Sequence, residues 1–131
     1  MFLSDLSDEQ KRAFISLARN FCQSDGVLAE AEDRFLEMFC AEMGLEPGTP
    51  GFEGETQELL RYFDTRKAKV SVLLELIGLG YADGNLDHAE NEMVTRVASE
   101  FGISQGELSV LYDWVARQME LVQEAYELMD E

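Results

Sequence analysis

The sequence has little of the material from which catalytic and metal sites are commonly built. It contains one histidine and two cysteines among 131 residues. A single imidazole, on His88, leaves no basis for a histidine metal site or a Ser-His-Asp triad. Cys22 and Cys40 lie beside apolar residues on predicted helix faces, a pattern typical of reduced core thiols rather than of a disulfide or a thiolate metal site. Without a glycine-rich phosphate loop or a base placed beside a nucleophile, we predict that the protein is not an enzyme.

Lysine and arginine are also scarce, with 10 of them against 27 aspartates and glutamates and a formal net charge of −17. Because a nucleic-acid phosphate backbone binds basic surfaces, this balance excludes nucleic acid as a partner. It suits cations, basic partners or a solvated acidic surface. The hydrophobic content of 46% is enough for one folded domain with a core, so the acidity does not indicate disorder.

Long apolar segments are missing as well. The densest apolar run, residues 70–81, is interrupted by Glu75 and is too short to span a bilayer. The first residues, MFLSDL, lack the basic and apolar regions of a signal peptide. We therefore expect a cytoplasmic protein.

No alternating strand pattern is found, and the chain instead contains a helical repeat. Residues 24–45 and 82–103 align with an offset of 58, and both copies run from an Asp-Gly corner through an amphipathic stretch to a glycine, Gly44 or Gly102. The apolar positions of the two copies match and share one helix face: Phe35, Leu36, Phe39, Cys40 and Met43 in the first, and Met93, Val94, Val97, Ala98 and Phe101 in the second. We expect Phe35, Phe39, Val97 and Phe101 to be buried.

The remaining helices follow from capping signals and apolar content. Ser7 with Gln10 and Ser104 with Glu107 are capping boxes that open the first helix and the last, which runs over about residues 104–130. A short helix is predicted over residues 55–63, and a helix over 65–81 is apolar on nearly all sides, as a central helix is. The prediction is a compact, single-domain all-α bundle of about six helices with an internal pseudo-two-fold repeat, its halves at about residues 7–45 and 65–103.

The two Asp-Gly corners carry carboxylates at matching positions. Each corner is like the second half of an EF-hand loop, but Phe21 and Leu79 stand where the first carboxylate should be, so neither forms a complete EF-hand. If the corners meet, they could pool their carboxylates around a divalent cation, calcium or magnesium; the candidates are Asp25, Glu30, Glu32, Asp83, Asp87 and Glu90. The same groups are also explained as helix caps and dipole partners, without any ligand.

The doubled Asp-Gly corner, with a Glu six residues after each Gly and each copy set between helices, resembles the TerB family of tellurite-resistance proteins. It is similar also to the TerB-like domain of a membrane-anchored DnaJ-type co-chaperone. The resemblance implies a non-enzymatic helical domain in stress or tellurite resistance, whose acidic residues bind divalent cations and which associates peripherally with membrane complexes through a partner. Carried over by position, those acidic residues are Asp25, Glu32, Asp83 and Glu90.

A cluster of basic residues stands out in this acidic chain: Arg61, Arg66, Lys67 and Lys69. Arg66 and Lys67 fall in the first turn of the fourth helix, where the helix dipole disfavours positive charge. The cluster either pairs with neighbouring acids or forms a small site for an anion or a partner.

The last helix carries two apolar stripes. One follows 4-3 spacing from Leu108 to Met129 and suits packing against the domain. The other, made of Trp114, Leu121 and Leu128, is predicted on roughly the opposite side. Either a neighbouring segment such as Phe2 and Leu3 covers it, or it is a contact with a protein partner or a second copy of the chain.

Two functions therefore remain open. One is a cation-responsive binding module that uses both corners. The other is an interaction scaffold in which the corners are structural and the last helix meets a partner or forms a dimer.

Overall fold

The computed structural model describes the backbone of residues 2–23, 29–82 and 88–130, and the side chains of these residues outside 22–33 and 82–90. Within them it contains six α-helices, two 3₁₀ turns and no strand, which confirms the all-α prediction. The helices are α1 (Asp8–Gln23), α2 (Ala29–Met43), α3 (Thr56–Leu59), α4 (Arg66–Ala82), α5 (His88–Glu100) and α6 (Gln105–Met129). The 3₁₀ turns are Leu3–Asp5 and Leu60–Tyr62.

Two of the helices begin at the predicted capping residues. Ahead of α1, the Gln10 backbone N–H donates to Ser7 Oγ at 3.2 Å, and the Ser7 N–H donates to Gln10 Oε1 at 3.0 Å. Ahead of α6, the Glu107 N–H donates to Ser104 Oγ at 3.1 Å. These bonds satisfy donors that the first turn of a helix leaves unpaired, so they set where each helix starts.

The two repeated helices end in the same way. Gly44 and Gly102 have φ values of 73° and 74°, a left-handed conformation that glycine adopts without steric cost. After α2, the Leu45 N–H donates to the Cys40 carbonyl at 2.8 Å; after α5, the Ile103 N–H donates to the Ala98 carbonyl at 2.9 Å. Both ends are Schellman motifs, and they lie at positions that match in the repeat.

Helix α4 lies at the centre of the domain. It contacts α1, α5, α6 and the Leu3–Asp5 turn. Its fully buried residues lie on one face, and Ala68, Ser71 and Leu79, also buried, extend the covered surface beyond that face; the fully buried ones are Val72, Leu73, Leu76 and Ile77. The charge within this apolar run, Glu75, accepts a hydrogen bond from the Phe2 backbone N–H at 2.9 Å. That bond ties the N-terminal segment to the central helix.

The matched apolar faces of α2 and α5 both pack on this core, though not equally. Val97 and Phe101 of α5 are buried as expected. Phe35 and Phe39 of α2 are only half-buried, although Phe39 meets the buried Phe14 edge-to-face with ring centroids 5.1 Å apart. Helix α2 is therefore the more peripheral member of the pair.

No helix in the described part of the chain is both long enough and apolar enough to cross a bilayer.

Candidate functional site

The predicted cation ligands fall outside what the structure describes. Asp25, Asp83 and Asp87 lie in the two undescribed stretches, and the side chains of Glu30, Glu32 and Glu90 lie in helical turns whose side chains are not described. Among the residues that are described, no group of three or more His, Cys, Asp or Glu side chains could hold a metal ion. The cation site therefore stays a prediction.

A tyrosine of α6 connects to the helices on either side of the second corner. Tyr112 Oη donates a hydrogen bond to Asn91 Oδ1, in the first turn of α5, at 2.9 Å. Burial, and to a smaller extent charge repulsion from the neighbouring Tyr81 of α4, together raise the pKa of Tyr112 to about 12. The start of α6 is thus anchored beside both helices that the second corner joins.

The basic cluster is divided between ion pairs and a ring contact. Arg66 Nη1 lies 3.3 Å from Glu107 Oε2, and Lys67 Nζ lies 3.5 Å from Asp5 Oδ2. Lys69 Nζ lies 5.9 Å from the centroid of the Phe101 ring. Arg61 is exposed at the rim of a shallow pocket that also includes Lys69. Exposed ion pairs such as these contribute little to the stability of the fold. Their effect is to orient the side chains of Arg66 and Lys67 toward neighbouring carboxylates.

The predicted second stripe of α6 divides into a covered start and an exposed end. Trp114 is half-buried, and its ring lies 5.8 Å from the ring of Phe2, so the N-terminal segment covers it. Leu121 and Leu128, in contrast, are 63% and 87% exposed. The structure does not bring the three residues together on one uncovered surface.

The last eleven residues of α6 are exposed almost throughout against the described part of the chain. Residues 119–124 are six consecutive exposed positions, which at ~100° per residue pass around the full helix circumference. From there to the end of the helix, Ala125 is the one residue that is partly covered. We call residues 119–129 the projecting segment, since the described part of the chain covers little of it.

The projecting segment is amphipathic. At ~100° per residue, its apolar side chains fall within an arc of roughly half the circumference, and this apolar arc comprises Met119, Leu121, Val122, Ala125, Tyr126, Leu128 and Met129. Leu121 and Leu128 lie at one edge of the arc, and Met119 and Tyr126 lie toward the other. The two predicted stripes are therefore the edges of one broad face rather than two opposite faces.

The charges of this segment are all of one sign. Glu120 and Glu127 lie on the side opposite the apolar arc, whereas Glu124 and the C-cap residue Asp130, directly after the segment, border it. No basic residue follows Arg117, whose Nε lies 3.0 Å from Asp113 Oδ2 one turn earlier. The projecting segment thus presents a wide apolar face with acidic edges.

Comparison with known proteins identifies the family. The sequence model of a family described as Tellurite resistance protein TerB matches residues 47–111, about half of the chain. The match runs from the loop after α2 into α6, and it ends before the projecting segment. Neither curated proteins nor solved structures give a match. TerB domains are non-enzymatic and helical, as the observed fold is helical, and the chain belongs to the TerB-like family.

Proposed function

We infer that this TerB-like chain is a non-enzymatic binding module in tellurite or related stress resistance, and that it contacts a protein partner through the projecting segment of α6. The observation that carries this proposal is the concentration of exposed apolar side chains there. Eight large hydrophobic residues are exposed in the described part of the chain, and six of them lie in residues 119–129. An uncovered apolar patch of this kind is typical of an interaction surface.

The helical state of the projecting segment supports the same conclusion. The segment continues a helix that is already packed on the domain, but it gains little of the stability that packing an apolar face gives, because the described part of the chain covers little of it. A partner that covers the apolar arc would remove that surface from water and hold the helix. In this proposal the chain acts in the cytoplasm and reaches membrane complexes only through its partner.

In the experiment, cells that express this protein are made to express a variant in its place, and their growth is measured on medium that contains tellurite. The variant is Leu121→Glu with Leu128→Glu, and far-UV circular dichroism of the purified chain checks that the fold is intact. Met38→Glu is a matched control, because Met38 on α2 is 64% exposed and Leu121 is 63% exposed. We expect growth to fall for the double variant alone. Resistance equal to wild type in a folded double variant would contradict the proposal.

A second candidate function is cation binding at the two corners. It is supported by the matched carboxylates of the repeat, and the part of the chain that matches the TerB family includes the second corner. Calcium or magnesium bound to the native state alone should raise the melting temperature, and Asp83→Asn with Glu90→Gln should remove that increment. Because Asn and Gln keep oxygens that can cap a helix, a purely structural corner predicts only a small loss of stability and no cation response.

A further inference from the structure

We propose that the projecting segment pairs with a basic amphipathic helix of another protein, rather than with a second copy of this chain or with a membrane. This inference rests on the proposed function, and it specifies the chemistry of the partner. It is carried by two properties of the segment taken together: the spacing of its apolar residues and the single sign of its charges.

The spacing of the apolar residues selects a helix as the partner. Met119, Val122, Tyr126 and Met129 follow at intervals of three, four and three, the pattern of a seam along which two helices pack side by side. All four are exposed, so the seam is open along its length. A facing helix with apolar residues at the same spacing would cover it, and its neighbouring side chains would reach the two edges of the apolar arc.

The charges at the edges select a basic helix. Glu124 and Asp130 border the apolar arc and are exposed, and residues 118–131 contain no lysine, arginine or histidine to balance them. Lysines or arginines flanking the partner's apolar stripe would pair with these carboxylates, which favours that partner over others.

The same charges disfavour the two other occupants. A second copy would bring the same acidic edges together, on two chains that each carry a net charge of −17. The cytoplasmic face of a membrane is negatively charged and attracts basic segments, so it would repel this one.

Two synthetic peptides serve as probes with the full chain. Each is an amphipathic helix of about 20 residues, long enough to be helical, with leucines at the seam positions and either lysines or glutamates elsewhere. Binding is followed by amide chemical shifts at about 0.15 M salt, where exposed charges more than ~8 Å apart are largely screened. We expect the lysine peptide to bind and to shift residues 119–130, and the glutamate peptide not to bind.

Matched charge reversals separate docking from general attraction between a basic peptide and an acidic protein. Glu124→Lys with Asp130→Lys changes the edges of the arc, and Glu120→Lys with Glu127→Lys changes the net charge equally on the opposite side. The first pair should weaken binding about tenfold, because two facing ion pairs become repulsive, and the second less than about threefold. Val122→Glu with Met129→Glu, on the seam itself, should abolish binding, although it makes the chain more acidic and would strengthen a non-specific attraction.

Four outcomes would overturn the inference. The first is that the lysine peptide does not bind, and the second is equal weakening by both charge-reversal pairs, which would mean that only net charge matters. A dimer in sedimentation that Leu121→Glu dissociates would assign the surface to a second copy. Binding to phosphatidylglycerol vesicles that requires Leu121 and Leu128 would assign it to a membrane. In each case the tellurite growth of the Leu121→Glu, Leu128→Glu strain still decides the proposed function separately.

Discussion

Substitutions of two leucines of α6 test whether the C-terminal half of this helix packs against the domain. Leu108 is 6% exposed and belongs to the core, whereas Leu121, on the same helix, is 63% exposed. Truncating a buried leucine to alanine loses apolar contacts and leaves a cavity, which costs about 2–5 kcal/mol. Truncating an exposed one stays within about 0.5 kcal/mol, and alanine's higher helix propensity offsets part of that.

Urea unfolding followed by far-UV circular dichroism measures both changes. With a urea m-value of about 2 kcal/mol/M, Leu108→Ala should lower the unfolding midpoint by roughly 1–2.5 M. Leu121→Ala should leave the midpoint nearly unchanged, with the same m-value as wild type. A loss above about 2 kcal/mol for Leu121→Ala would refute the exposure of the projecting segment. If that loss depended on protein concentration, a second copy would be what covers Leu121.

Three further predictions follow from single contacts. The pKa of Tyr112 is raised to about 12 in the folded chain, mainly by burial, whereas the phenol of an unfolded chain has a pKa near 10. As the pH rises, Tyr112 therefore loses this proton in the unfolded chain before it does so in the folded chain. Its contribution to stability is therefore complete below pH ~10 and falls as the pH rises toward 12, and urea midpoints across this range should fall less for Tyr112→Phe than for wild type. Gly102→Ala should lower the free energy of unfolding by about 1–2 kcal/mol, because Gly102 has a positive φ. Gly78→Ala should raise it by about 0.5–1 kcal/mol, because an added Cβ at this position in α4 meets nothing within 4 Å. Equal melting temperatures for the two variants would contradict this. Ser104→Ala removes the cap of α6 and should cost about 1 kcal/mol in urea unfolding, and an unchanged midpoint would mean that the cap contributes nothing.

The helix boundaries could be predicted because they depend on chemistry a few residues apart. Ser7 and Gln10 satisfy each other's backbone donors, and Gly44 provides the left-handed conformation that ends α2. Such local bonds need no knowledge of the rest of the chain. The apolar faces of the repeat were predictable for the same reason, since their spacing alone places them on one side of a helix.

The surroundings of Trp114 could not be predicted in this way. Its cover comes from Phe2, which is far away in sequence and is held in place by the hydrogen bond to Glu75. Half-burial of Phe35 and Phe39 likewise depends on how far α2 lies from the centre of the bundle. Periodicity identifies the face that a helix buries, but the depth of burial depends on tertiary packing.

Two valines of α6 show most clearly that an apolar pattern does not determine burial. Val115 and Val122 lie one heptad apart in one apolar pattern, yet Val115 is buried and Val122 is exposed. The pattern itself does not change between them; the described part of the chain that packs on α6 reaches only to about Gln118, and at ~1.5 Å per residue the helix continues for roughly 16 Å beyond it. A helix that packed only on its own domain would need no apolar residues past that edge, and polar ones would keep it soluble at no cost in packing. That the apolar arc nevertheless continues to Met129 is the reason to expect a second protein against it.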